Sequence, residues 1–476
     1  MLNPTAKNTA FMTISSVGQK VVSFVYFTLI ARMIGAEGMG KYFLALSFTT
    51  IFVVFVDLGF SNVLVRESAK YKDKAQEYFS NVLAVKFFLG LFTYIALLIT
   101  VNILEYSTEV KNLIYLSGVT MLFDSLHLSI YSIFRAFGKL KYEAIGIVGS
   151  QILTLLMGSF FLFSGYPLIF LILAFTIPSF INVCFAAVFL YREYKIKLLP
   201  KYNKKIFLYL GSIAIPFGLA AIFSRVYTYI DSVMLSKMAG EAAVGWYSIP
   251  HKIVQAFLFI PGALVAVIYP RFSELFIKDK KRLAYVFERS FKYLLIIAMP
   301  IAVGIVVLAK DIIVHIFTEE YLNSVLPLQI LIVGLIFSFT ALLIGSFLNA
   351  CNRQVAQTTI AALVMVVNIV LNLILIPIYG IVGAAISALV GNILLVKIGY
   401  LLIPKITRLS HTYILKNIIK LGSSSIAMGL IVWIVNMHYN FISAIVVGIL
   451  VYPIMLVLTN AINKSQIKEA FEMIKK

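Results

Sequence analysis

Runs of about 20 predominantly apolar residues recur from one end of this chain to the other, each long enough to cross a bilayer as a helix. Short polar connections between them carry most of the charge. The 476 residues are 61% hydrophobic and only 13% charged, against the ~45–50% apolar usage of a soluble domain. A water-soluble fold cannot hide that much apolar surface. The runs are continuous and do not alternate, which argues against a transmembrane barrel. Two cysteines, Cys184 and Cys351, cannot build a disulfide scaffold. The chain therefore reads as an all-α, polytopic membrane protein.

Hydropathy places fourteen spans near residues 10–33, 42–65, 79–104, 113–134, 144–163, 168–190, 206–235, 246–269, 291–309, 326–348, 358–378, 381–403, 418–437 and 441–462. The stretch before the first lacks a basic region and a small-residue cleavage site, so that span is expected to be retained.

Of the 40 Lys and Arg, 30 fall on the side holding both termini and the even-numbered connections, 5 on the other side and 5 inside spans. That asymmetry predicts cytoplasmic termini and a cytoplasmic (inner) membrane location. The acids divide 10, 7 and 3 over the same compartments, so the cytoplasmic surfaces carry the whole net charge of +20. Topology and anionic lipid headgroups account for the basic charge, and a nucleic-acid partner is not expected. No connection exceeds about 20 residues, too short for the extramembrane domain that membrane transferases, polymerases and ligases use. Nucleotide-loop, HExxH and Cys/His metal spacings are lacking too. No catalytic residue, metal site or cofactor is expected.

An internal repeat is visible. Gly35, Gly40 and Tyr42 after the first span match Gly240, Gly245 and Tyr247 after the seventh, displaced by 205 residues. A weaker echo pairs Phe134-Arg-Ala136-Phe-Gly-Lys139 with Leu348-Asn-Ala350-Cys-Asn-Arg353. Six spans separate the halves, so both keep one orientation, with a substrate site expected between them. The expected domains are 1–190 and 206–403 as six-helix lobes, with 418–462 as a two-helix appendix.

Ionisable groups inside spans are costly and mark function by default. Five cations are embedded: Lys20, Lys86, Arg225, Lys252 and Lys397. Lys20 and Arg225 lie near mid-span and are separated by the repeat offset of 205. Lys20 belongs to a one-sided stripe with Thr13, Ser16 and Ser23. Lys86 and Lys397 can snorkel toward the cytoplasmic face, and Lys252 sits beside His251. Lys20, Arg225, Lys252 and Lys86 are the candidate translocation residues. Three acids, Asp57, Asp124 and Asp231, are candidates for coupling to sodium ions or protons, because desolvation makes their protonation switchable. Asp124 lies on a stripe with Ser117, Thr120, His127 and Tyr131. The alternative for each charge is interhelical pairing, for instance Lys20 with Asp57 or Asp231.

Several segments resemble the polysaccharide-transport (oligosaccharide-lipid flippase) branch of the multidrug/oligosaccharidyl-lipid/polysaccharide exporter superfamily. They are Ala31-Arg-Met-Ile-Gly35-Ala-Glu-Gly-Met-Gly40-Lys-Tyr42, Asp57-Leu-Gly59-Phe-Ser-Asn-Val-Leu-Val-Arg66, Ile215-Pro216 and Asp231-Ser-Val-Met-Leu. Gly245-Trp-Tyr247-Ser-Ile-Pro-His-Lys252, Tyr269-Pro270-Arg-Phe-Ser and Ile376-Pro-Ile-Tyr-Gly380-Ile-Val-Gly383 continue the match. The resemblance implies paired six-helix lobes around a central cavity and alternating access. It also implies a polyprenyl-diphosphate-linked oligosaccharide as substrate, with cavity cations such as Lys20 and Arg225 meeting its charge. A monomer is the expected functional unit, in contact with membrane lipids and polysaccharide assembly machinery. A cation-coupled multidrug antiporter and a peptidoglycan-precursor flippase stay open as alternatives, with a membrane polymerase disfavoured by the short outer loops.

Overall fold

The computed structural model describes residues 4–462, with side chains described at position 12 and from position 15 onward. Thr13 of the first stripe, Lys7, and Lys464, Lys468, Lys475 and Lys476 of the charge split lie outside the described side chains. The described residues form helices joined by short connections, with no strand among them. The helices are α1 (Pro4–Asp57), α2 (Phe60–Lys70), α3 (Ala75–Ile103), α4 (Thr108–Ala136), α5 (Lys141–Phe163), α6 (Ile169–Tyr194), α7 (Lys204–Met238) and α8 (Glu241–Phe257). Next come α9 (Phe259–Lys278), α10 (Lys280–Ile312), α11 (Val325–Ala350), α12 (Gln354–Tyr379), α13 (Ile381–Leu402), α14 (His411–His438) and α15 (Phe441–Leu458).

Thirteen stretches are long and apolar enough to span a membrane when Ser15–Asp57 is counted as one. At 1.5 Å per residue α1 would be about 80 Å long, far beyond a hydrocarbon core of about 30 Å. It is divided at Gly35, where φ is 69° and ψ 178°, a backbone conformation that only glycine adopts without a Cβ penalty. Division there restores the fourteen expected spans.

Two of those spans differ from expectation. The second, placed at 42–65, ends at Asp57, because Leu58 (φ 42°) and Gly59 (φ 83°) both turn left-handed. The apolar run then continues as the short helix α2, whose Phe60, Val63 and Leu64 are buried. The eighth, placed at 246–269, is two helices, α8 and α9, that meet at Leu258.

The chain folds as two compact units, Met1–Ser248 and Ile249–Lys476. In the first unit α1 packs on α4, α5 and α7, and α4 and α5 on α6. In the second α10 packs on α11 and α14, α13 on α11 and α12, and α14 on α15. The repeat boundary instead groups α7 with the second half. Backbone proximity explains the difference. A Cβ at Gly59 would lie 2.8 Å from the Ala214 carbonyl oxygen, and one at Gly218 2.7 Å from that of Leu58. The chain at the end of α1 and the first half of α7 thus touch main chain to main chain. Within the second unit α14 and α15 dock on α10. The Tyr452 hydroxyl donates to the Ile296 carbonyl at 2.8 Å, and the Asn436 amide to Asp311 at 2.8 Å.

Candidate translocation site

The repeated glycines build one joint. Gly35 and Gly240 both take positive φ, 69° and 88°, and each ends one helical segment and starts the next. Five residues on, Gly40 and Gly245 make room for opposing backbone. A Cβ at Gly40 would stand 1.8 Å from the Glu241 carbonyl oxygen, and one at Gly245 1.9 Å from the Ala36 carbonyl oxygen. Beside this crossing the Lys41 ammonium reaches Glu37 at 2.9 Å, Glu109 at 2.8 Å and Glu241 at 3.7 Å. Lys41 thereby ties the α1 joint to the starts of α4 and α8. Sequence reading assigned Lys41 no role, since two of its three partners, Glu109 and Glu241, lie 68 and 200 residues downstream.

Lys20 on α1 and Arg225 on α7 are both exposed. Neither makes an ion pair among the described residues, so their charges remain available to a ligand. The interhelical pairings considered from sequence are not formed. Asp57 is held by Lys86, and buried Asp231 accepts the Tyr247 hydroxyl at 2.9 Å. Arg225 stands one helical turn before Tyr229 and interacts with it electrostatically. Lys252 is half-buried on α8 beside buried His251.

Asp57 and Lys86, singled out separately, are each other's partners. The Lys86 side chain, 5% exposed, lies 2.5 Å from Asp57 and also donates to Ser61 Oγ at 2.9 Å and the Ser125 carbonyl at 3.2 Å. The Ser61 hydroxyl donates to the same Asp57 oxygen. All three ammonium protons therefore have acceptors, as a buried charge requires. A cavity of about 400 Å³ opens against Lys86, walled mainly by apolar groups such as Leu83, Phe87, Leu91 and Leu122. The arrangement locks α1, α2, α3 and α4 together.

The α4 stripe meets a matching stripe on α6. Thr120 shares a 2.7 Å hydrogen bond with Thr176, Ser179 donates to Asp124 at 2.5 Å, and Tyr131 donates to Asn182 at 2.5 Å. The Asp124 carboxylate also lies 3.1 Å from His127 Nε2 and is 49% exposed, half open to whatever fills the space beside it. Thr176, Ser179 and Asn182 escaped sequence reading, although their spacing of three is the signal that would have revealed them. The Asp124 carboxylate thus has two polar neighbours and one open side.

A multi-pass helical chain, with a glycine motif repeated on both sides of one joint and with Lys20 and Arg225 in no ion pair among the described residues, is built as a membrane transporter. The sequence belongs to the Polysaccharide biosynthesis protein family, whose profile matches residues 5–276, a flippase family of the multidrug/oligosaccharidyl-lipid/polysaccharide exporter superfamily. The profile of a related family, Lipid II flippase MurJ, matches residues 232–454. The "Putative O-antigen transporter" of Shigella flexneri is 26% identical over 381 residues, covering 75% of this chain and 88% of that one. The capsular polysaccharide biosynthesis protein CapF of Staphylococcus aureus is 24% identical over 394 residues, covering 81% and 96%. Among solved structures, lipid II flippase MurJ in an inward closed conformation superposes with a TM-score of 0.78 at 20% identity, over 94% of this chain and 98% of that one. An inward-facing multidrug transporter of the same superfamily reaches 0.66 at 14% identity, over 81% and 95%. These likenesses bear out the resemblance read from the sequence and the helical fold it implied.

Proposed function

We propose that this protein flips a polyprenyl-diphosphate-linked oligosaccharide from the cytoplasmic to the outer leaflet by alternating access, for cell-surface polysaccharide or glycan synthesis. The reading rests on the family and, in this chain, on one observation: Lys20 and Arg225 are exposed, unpaired among the described residues, and separated by the repeat offset of 205. A diphosphate crossing hydrocarbon unaided faces a desolvation cost on the order of tens of kcal/mol. Two cations in a wet passage replace part of its hydration, while the polyprenyl chain stays in lipid. No covalent bond changes, so the chemistry is binding and release alone. The protein works in the cytoplasmic membrane with both termini inside, as a monomer that hands its product to polysaccharide assembly machinery. Sodium or proton coupling through Asp124 or Asp231 drives the cycle, with Lys252 a further contact for the substrate.

Transport of lipid II is a second reading, favoured by the profile match over residues 232–454. Proteoliposomes containing fluorescent lipid-linked oligosaccharide, with a headgroup-accessibility readout, test the proposal. Arg225→Ala should slow flipping at unchanged protein yield. Arg225→Lys should restore part of the rate, keeping the charge but losing the planar fork that grips two phosphate oxygens. Unchanged flipping in the Lys20→Ala, Arg225→Ala double variant would overturn the assignment of these cations. Transport of lipid II with no transport of other lipid-linked saccharides would favour the second reading.

A further inference from the structure

A second group of cations lies in the unit Ile249–Lys476, away from Lys20 and Arg225 in the chain. Arg289 and Lys292 stand three residues apart on α10, and so on neighbouring positions of one face. Lys420 stands on α14, which packs on α10. The charges of Arg289 and Lys420 both act on Lys292, which is itself buried.

The Arg289 guanidinium is fixed in place. Its Nε donates to the Tyr285 hydroxyl at 2.9 Å and the group sits 5.2 Å over the Tyr285 ring. Its Nη1 is buried and has no hydrogen-bond partner among the described residues. Lys420 reaches across to the Asn460 carbonyl, just past the end of α15, at 3.0 Å. The nearby acid, Glu288, is already committed to the Ser410 backbone N–H at 2.6 Å. A buried cationic donor left without an acceptor is costly, so the Arg289 guanidinium is placed to receive an acceptor at Nη1.

Its surroundings say where the acceptor comes from. Tyr285 and Tyr293 are exposed on α10, and tyrosines concentrate at the headgroup layer of a bilayer. The exposed residues next to these cations and farther along the same helices are apolar, with Ile419 beside Lys420 on α14, Ile426 two turns on, and Ile297 on α10. Cations at the boundary between tyrosines and an apolar wall match an amphiphile with a negative head. Free phosphate would leave that wall unused.

We propose that Arg289, Lys292 and Lys420 form a binding site, between α10 and α14, for the phosphate headgroup of an anionic membrane phospholipid whose acyl chains lie against Ile297, Ile419 and Ile426. This lipid is a resident of the second unit and not the transported cargo. The inference does not depend on the identity of that cargo.

The full-length protein, reconstituted in nanodiscs of equal phosphatidylglycerol and phosphatidylcholine, then extracted and analysed for retained lipid by native mass spectrometry, tests the site. Phosphatidylglycerol should be retained preferentially. Retention should fall about fivefold for each of Arg289→Gln and Lys420→Gln, since a basic residue near the surface contributes about 1 kcal/mol of attraction. Arg289→Lys should retain the lipid nearly as the parent does. Should Arg289→Gln fail to purify as a single species, the Lys420→Gln variant carries the test alone. Inorganic phosphate in excess should neither displace the lipid nor raise the melting temperature. Equal phosphatidylglycerol retention in the parent and the charge-removed variants would overturn the site. Stabilisation by inorganic phosphate as large as by phosphatidylglycerol would make it a free-anion site and overturn the lipid assignment.

Discussion

Gly40 and Gly245 occupy reciprocal seats. Gly40 lies against the backbone of Glu241, and Gly245 against that of Ala36, and each partner is the other's shifted by 205 residues. A contact in which i meets j while the counterpart of j meets the counterpart of i is the signature of a two-fold relation. It is met here inside one chain, by the two copies of a single sequence motif.

Such a crossing tolerates no side chain. Gly40→Ala and Gly245→Ala should each cost about 1–3 kcal/mol, the usual penalty of forcing atoms into a filled space, read as a fall in melting temperature of the purified protein. Gly18→Ala, where a Cβ would meet nothing within 4 Å, is the control and should melt no lower than the parent. Equal melting of Gly40→Ala and the control would show that the helices part freely at this point.

Removing one member of the Asp57–Lys86 pair should be more damaging than removing both. Asp57→Asn or Lys86→Met alone leaves a buried group without its partner and should cost about 3–5 kcal/mol, seen as reduced folded yield. The Asp57→Leu, Lys86→Met double variant should recover much of that loss. Flipping by the recovered variant would mark the pair as a fastening between helices. Loss of flipping at normal yield would place it on the substrate's path.

At Asp124 the expected result is the opposite division. Asn at this position keeps the oxygen that Ser179 donates to, so Asp124→Asn should purify as the parent does, within about 0.5 kcal/mol of its stability. Transport driven by an imposed sodium or proton gradient should lose its dependence on that gradient. A gradient response equal to the parent's would remove Asp124 from the coupling step and leave Asp231 as the remaining acid.

Membrane orientation can be checked at three exposed positions. In a background lacking Cys184 and Cys351, Ser107→Cys and Asn323→Cys should react with an impermeant thiol reagent from outside, and Lys280→Cys should not. The reverse pattern would invert the topology inferred from the 30 to 5 division of basic residues.

Hydropathy made the spans legible, because a helix in lipid must be apolar all along its length and satisfy its own backbone. It was blind to the break at Leu58 and Gly59, where the run stays apolar while φ changes sign. It was equally blind to the break between α8 and α9. The glycine joint was legible because glycine is favoured at positive φ and required where two backbones cross, so its pattern survives in both copies. Polar partners were not legible. Lys86 meets Asp57 from 29 residues away, and Ser179 meets Asp124 from 55. Nothing local to either residue names a neighbour on another helix. Lys20 and Arg225 could be singled out because any charge inside a span is conspicuous in the sequence, but so could Lys86 and Asp57, and only the structure separates the paired from the unpaired.

The join at Gly35 has a further consequence for how the chain can be made and altered. One residue with a positive φ separates two membrane-length helical segments, so there is no loop in which the ribosome's product could pause with the first span inserted and the second still in water. The two halves of α1 should enter the bilayer as a pair. For the same reason, a tag or reporter inserted after Gly35 would pry apart a junction that has no slack. The longer connection 195–203 between α6 and α7 is no freer, since the Lys197 N–H is tied to Gln76 at 2.8 Å and the Lys201 N–H to the Ser80 carbonyl at 3.1 Å.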